Sequence, residues 1–201
     1  MATKVSAACA LMASVVLGMA ATAARADDPA AGQVQKFDAA LLETMKAGLG
    51  AEGRAHRLTP TIEQTFDIPA MIRFAVGPAW TGMSEADHTA LAAAFERYTA
   101  ASYAHNFDSY SGQKFTVDPN VDSRGVDKLV KTQLASGDGA PVSIVYRMRD
   151  TSGPWKIIDV YYQGTISQLT TSRSDFAATV ASGGAKALVA HLDAQTAKLL
   201  K

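Results

Sequence analysis

The chain has 201 residues, 48% of them apolar, and its 19 basic side chains balance 19 acidic ones. That balance gives a nucleic-acid partner no electrostatic footprint, and the single cysteine, Cys9, excludes an intramolecular disulfide. The fold must therefore be held by its apolar core, which is feasible for one domain of this length.

The first residues read as an export signal. Lys4 supplies the charge, Val5 to Ala24 is a small-residue and apolar run, and Ala24-Arg25-Ala26 is a small-x-small cleavage site. Residues 1–26 are predicted to be a cleaved signal peptide and 27–201 one mature domain. Cys9 comes too early in the run for a lipoprotein attachment site. Loss of Lys4 and Arg25 leaves 17 basic residues against 19 acidic ones. Nothing in the remainder is apolar over enough length to span a bilayer.

Asp27 to Gly32 reads as a mobile lead-in. Val34, Phe37, Leu41, Leu42 and Met45 then fall at helical spacing, with Gly48 and Gly50 beyond. "LTPTIEQTF" reads as a second helix start, capped by Thr59 with Pro60 in its first turn. "FDIPAMIRFAVGPAW" predicts a short apolar helix that Pro69 opens and Gly77-Pro78 ends. In "MSEADHTALAAAFERYTAASYAHNFDSYSG", Ser84 and Asp87 resemble a capping box, and Leu91, Phe95, Tyr98 and Ser102 form one stripe. The alanines of this helix let its backbone lie close to whatever it covers.

From Lys114 the period changes to two. "KFTVD", "GVDKLVKTQLA", "PVSIVYRMRD" and "WKIIDVYYQG" are four predicted strands, and "SGDGA" and "TSGP" are turns between them. In the third strand Val142, Ile144, Tyr146 and Met148 point one way, Ser143, Arg147 and Arg149 the other. The fourth is blurred: Ile157-Ile158 and Tyr161-Tyr162 leave both faces partly apolar, so its register is open. The end is helical with a break at Gly183-Gly184. The order predicts an α+β fold: a four-stranded, curved antiparallel meander with N- and C-terminal helices packed on one face.

Little in the sequence carries chemistry. His105 and Asp108 are three apart at a helix end and are candidates for a general base and its orienting carboxylate. Asp159, in mid-strand, is the other candidate acid; a structural ion pair with Arg173 or Arg73 is the alternative role. On these residues a small isomerase or hydratase is the enzyme reading. No histidine spacing or thiol fits a zinc site, and neither a nucleophile elbow nor a phosphate loop is present. No catalytic residue, metal or cofactor is assigned. Arg147 and Arg149 are exposed basic residues, solvated or available to a partner.

The informative feature is apolar. Phe66, Ile68, Met71, Phe74, Trp80, Phe95, Tyr98, Tyr103 and Phe107 come from the helices. Val142, Ile144, Tyr146, Trp155, Ile157, Val160 and Tyr162 come from the strands. They make either an ordinary core or the walls of a gap beneath thin helices.

"FDIPAMIRFAVGPAW", "SYSG", "VYRM", "GPWKIIDVYYQG" and "SRSDFAATVASGGAKALVAHL" occur in that order. Together they resemble the MlaC-like, toluene-tolerance family of exported lipid carriers, from Phe37 to Leu200. "GTIS…RSDF" looks more like its hopanoid-associated HpnM branch, and Ser172 stands where phospholipid carriers have an aromatic residue before the arginine. The resemblance implies an NTF2-like sheet wrapped by helices, with hydrocarbon held between the layers and no catalytic residue. The apolar set above would then bind lipid, joined by Ile166, Leu169 and Phe176. It also implies a periplasmic shuttle for phospholipid or hopanoid, serving an inner-membrane ABC transporter with an MCE-domain protein and an outer-membrane lipoprotein in maintaining outer-membrane lipid asymmetry.

Overall fold

The computed structural model describes residues 28–137, 139–150 and 152–201. The expected signal peptide lies outside the described residues.

Helix α1 (Pro29–Lys46) begins where a mobile lead-in is expected. Asp28 accepts from the Ala30 amide at 2.9 Å, Pro29 presets the first turn, and Ala30 and Ala31 are already buried. Asp28 also binds Lys128 of the sheet at 2.6 Å, and Lys128 lies 4.5 Å from the centre of the Trp155 ring. From Asp28 onward the lead-in is thus an anchored helix start. Val34, Phe37, Leu41 and Met45 face inward as the spacing requires.

Helix α2 (Ala51–Thr65) starts at Gly50 rather than at Thr59. Pro60 lies inside it, on the solvent side, where water can serve the carbonyl that proline leaves unpaired. Thr59 donates to the Ala55 carbonyl one turn back at 3.0 Å instead of capping. Helix α3 (Ile68–Val76) follows, capped by Asp67 on the Ala70 amide at 3.1 Å. Gly77, at φ 72°, ends it and leads into a 3₁₀ turn, Gly77–Gly82. Helix α4 (Glu85–Asn106) carries the full Ser84–Asp87 capping box. Its buried Ala94, Ala100, Ala101 and Ala104 allow α2 and α5 to approach its backbone closely.

The sheet has six antiparallel strands, not four: β1 (Lys114–Val117), β2 (Asp122–Arg124), β3 (Asp127–Ala135), β4 (Val142–Asp150), β5 (Trp155–Tyr162) and β6 (Ile166–Ser167). The order is β1-β3-β4-β5-β6, and β2 shares the β3 edge with β1. The two additional strands are three and two residues long, too short to show an alternation. Pairing with β3 and β5 creates them.

The blurred register of β5 has a physical origin. Tyr146 pairs with Val160 and Arg147 with Asp159, yet Met148 pairs with Ile157, so Ile158 is the extra residue of a β-bulge. Tyr146 and Met148 share a face, which puts Ile157 and Val160 together on that face although they are three residues apart. The remaining edge of β5 is covered by β6 at one end and by a bridge to Phe66 at the other, where the Asp67 amide donates to the Ile157 carbonyl at 2.9 Å.

Helix α5 (Gln168–Leu199) closes the structure, kinked at Gly183 and Gly184 as the glycine pair predicts. Helices α1, α2, α3 and α5 pack on the sheet, on the face that carries Val130, Thr132, Tyr146, Met148 and Ile157; Lys131 and Gln133 lie exposed on the other. α4 forms an outer layer against α2, α3 and α5.

Candidate functional site

The interior between sheet and helices centres on Phe37 of α1. Its ring meets Phe66 at 4.9 Å, Tyr103 at 4.8 Å and Tyr146 at 6.3 Å, each edge to face. Tyr103, Phe107 and Phe115 continue the row toward β1, with centroids 6.0 Å apart at each step. A second cluster joins α4 to α5, where Phe95 meets Tyr98 at 6.3 Å and Phe176 at 6.5 Å.

Most of the predicted apolar set meets in one core. Phe66, Ile68, Met71, Phe95, Ile144, Tyr146, Ile157, Leu169 and Phe176 are buried in it. Trp80, Tyr98, Tyr103, Phe107, Val142, Trp155 and Val160 pack half-buried against it. Phe74, Tyr162 and Ile166 lie outside it, exposed by 45%, 44% and 49%. Tyr162 and Ile166 are cross-strand partners at the β5–β6 edge. Phe74 lies beneath the guanidinium of Arg173, 5.5 Å from the ring centre. That guanidinium also lies against Gly77, where an added Cβ would come within 3.2 Å of it.

Two residues at the centre are absent from the predicted set. Phe37 has a clear signal, the helical spacing of α1. Asp38 has a subtler one: it continues the stripe from Val34 toward Leu41, an acid at an apolar position. Asp38 is 3% exposed; its Oδ1 accepts from the Tyr146 hydroxyl at 3.1 Å, and its Oδ2 is buried without a partner. Burial pushes its carboxyl up to about 7, against the opposing effect of the Tyr146 hydrogen bond.

The candidate acids have other employment. Asp159 accepts from the Val160 amide at 2.8 Å, Ser167 Oγ at 2.7 Å and the Leu169 amide at 3.2 Å. It ties the start of α5 to β5, and the expected ion pair with arginine is replaced by these uncharged donors. His105 and Asp108 are both exposed, and Asp108 accepts from Ser109 Oγ at 2.8 Å. Arg147 and Arg149 are neither free nor merely solvated. Both bind the buried Asp127, through Arg147 Nε at 2.6 Å and Arg149 Nε and Nη2 at 2.6 and 2.9 Å. These contacts, Arg149's first, hold the Asp127 carboxyl below the usual range. Among the described residues no group of three His, Cys, Asp or Glu is placed to hold a metal.

Two clefts lie on the surface, away from this interior. One of about 250 Å³ lies on the uncovered sheet face, over Leu129 and Val145 and flanked by Arg124, Arg147 and Tyr161. The other, about 420 Å³, lies between the α1–α2 turn and the end of α4.

The architecture defines an α+β protein whose curved antiparallel sheet is roofed on one face by helices over an aromatic interior. Among solved structures it matches a phospholipid-binding protein from Ralstonia solanacearum in complex with a phospholipid, with TM-score 0.71 and 21% identity over 86% of this chain and 99% of the other. The family model of the MlaC protein matches residues 35–194, and the chain belongs to the MlaC family. A search of curated proteins gave no match.

Proposed function

We propose that the protein is a periplasmic lipid carrier that takes hydrocarbon chains between its sheet and helices and moves them between the inner and outer membranes. The observation that carries this is the family match across residues 35–194, supported by a structural counterpart that holds a phospholipid. The lining would be the shared apolar core, with Phe74, Tyr162 and Ile166 at its rim.

The physical need is large. Two acyl chains of roughly 14 methylenes each, at about 0.8 kcal/mol per CH₂, would cost on the order of 20 kcal/mol to expose to water. An apolar interior replaces the bilayer with a medium of similar polarity, so transfer between the two is nearly balanced. Such a carrier requires docking and no bond chemistry. Its partners would be an inner-membrane ABC transporter with an MCE-domain protein and an outer-membrane lipoprotein.

Aromatic side chains meet edge to face at the centre of the interior, so admitting a lipid there means separating the layers. α1 and the arms of α5 are the elements to move. Phospholipid is the favoured cargo, on the strength of the Ralstonia counterpart; the "GTIS…RSDF" residues keep hopanoid as the second.

Native mass spectrometry of protein purified from a bacterial periplasm tests this directly. The expected spectrum shows one lipid bound per chain. An empty mass, with no uptake from phosphatidylethanolamine or hopanoid-containing vesicles, would refute the carrier.

A further inference from the structure

Asp38 is a carboxyl group placed where an apolar side chain belongs. It sits on the inward stripe of α1, next to Phe37, and its one donor is the Tyr146 hydroxyl at 3.1 Å. Its Oδ2 is buried and faces no donor.

No neighbouring element offers it a counter-charge. From β4 it meets Tyr146, and from α4 Tyr103 acts on it; burial pushes both phenols up, so both stay neutral. Arg54 of α2 donates instead to the Ala104 carbonyl at 2.8 Å and to the Leu49 carbonyl. Lys36 of α1 itself bonds Gln64, Lys128 of β3 bonds Asp28, and Lys156 of β5 bonds the Glu63 carbonyl. Asp159 of β5 is held by the start of α5, and Lys114 of β1 is exposed. An unpaired carboxylate in such surroundings is costly, whereas the neutral acid is tolerable.

We propose that Asp38 is a proton-controlled latch on α1: as the neutral acid it lets the helix seat against β4 and α4, and its ionisation loosens the helix and opens the aromatic layer beneath. What enters through that opening depends on the carrier reading; the latch itself does not. The sign follows from linkage. A carboxyl raised when buried and ordinary when exposed makes opening easier as pH rises. The opening constant climbs about tenfold per pH unit between roughly pH 4 and pH 7 and is level above that.

Hydrogen exchange of residues 29–46 in the full mature chain, corrected for intrinsic rates and referred to α4, reads this between pH 5 and 8.5. The expected result is protection of α1 that falls about tenfold per unit up to about pH 7 and then levels. In Asp38→Asn, which keeps the shape without the proton, the slope should vanish. A flat wild-type profile, or the same slope in Asp38→Asn, overturns the latch. Tyr146→Phe provides a second variant if the first does not fold. It removes the one donor, so the levelling point should move to higher pH; an unmoved one also overturns the latch.

Release of fluorescent phosphatidylethanolamine to phosphatidylcholine vesicles separates the two readings. Release faster at pH 8 than at pH 5, in the wild type alone, supports a latch that gates lipid. Uptake of no lipid, with the exchange profile intact, sinks the carrier and leaves the latch standing.

Discussion

Asp127 and Asp38 are both acids with 3% exposure, and their environments push them in opposite directions. Asp127 has two arginines at hydrogen-bond distance on the uncovered sheet face; Asp38 has one phenol inside the core. Asp127→Asn leaves two guanidinium groups with a weaker partner. We expect it to lower stability by about 1–2 kcal/mol at pH 7, since the arginines are partly exposed and screened. A depressed carboxyl stabilises the fold above its unfolded value, near 3.8, and loses that contribution as pH falls through its folded value. Urea titrations of the two proteins should therefore differ at pH 7 and converge in acid, once the folded-state carboxyl of Asp127 is protonated. A difference that persists in acid would assign the effect to packing. At this scale the sequence named Asp159 and left out Asp38, because mid-strand position is visible in a string of letters and the fate of a lone pair is not.

Each element shows how far local rules reach. The capping box of α4, the Pro69 start of α3 and the Gly183-Gly184 break are local signals, and the structure follows them. α2 does not follow its local signal: Pro60 reads as a beginning, but burial of Arg54, Leu58 and Ile62 against the rest of the fold extends the helix back to Ala51. The kink in α5 rests on Gly184, at φ 60° and ψ −149°, a conformation essentially reserved for glycine. Gly184→Ala should cost about 1–3 kcal/mol. Calorimetry would show a lower melting temperature; an unchanged one would mean that α5 straightens at no cost. The bulge at Ile158 belongs to the same scale. It is why an alternation test fails on β5, and why Ile157 and Val160 nonetheless face the helices together.

At the scale of the molecule, the question is whether the packed interior is final or can open. Ile144, on the covered face of β4, answers it. In a core that never opens, Ile144→Trp forces extra volume into filled space and destabilises by about 1–3 kcal/mol or more. In a carrier, the layers that part for hydrocarbon can also take the indole. The expected outcome is a folded Ile144→Trp protein, by circular dichroism, with lipid uptake from vesicles reduced at least severalfold. An unfolded product would mark the site as ordinary core and count against the carrier.

What the sequence determined by itself was the class of fold, the helix-to-strand switch at Lys114, the caps and breaks, and most of the apolar set that converges inside. These are set by residues near one another in the chain, through periodicity, turn chemistry and side-chain apolarity. The tertiary structure decided the two added strands, the bulge, the anchored start of α1, the pairing of Arg147 and Arg149 with Asp127, and the isolation of Asp38. Each of these depends on partners distant in sequence, Asp38 and Tyr146 being 108 residues apart. A hydrogen bond or its absence is decided by geometry at a few ångströms, and only the folded chain brings those groups to that distance.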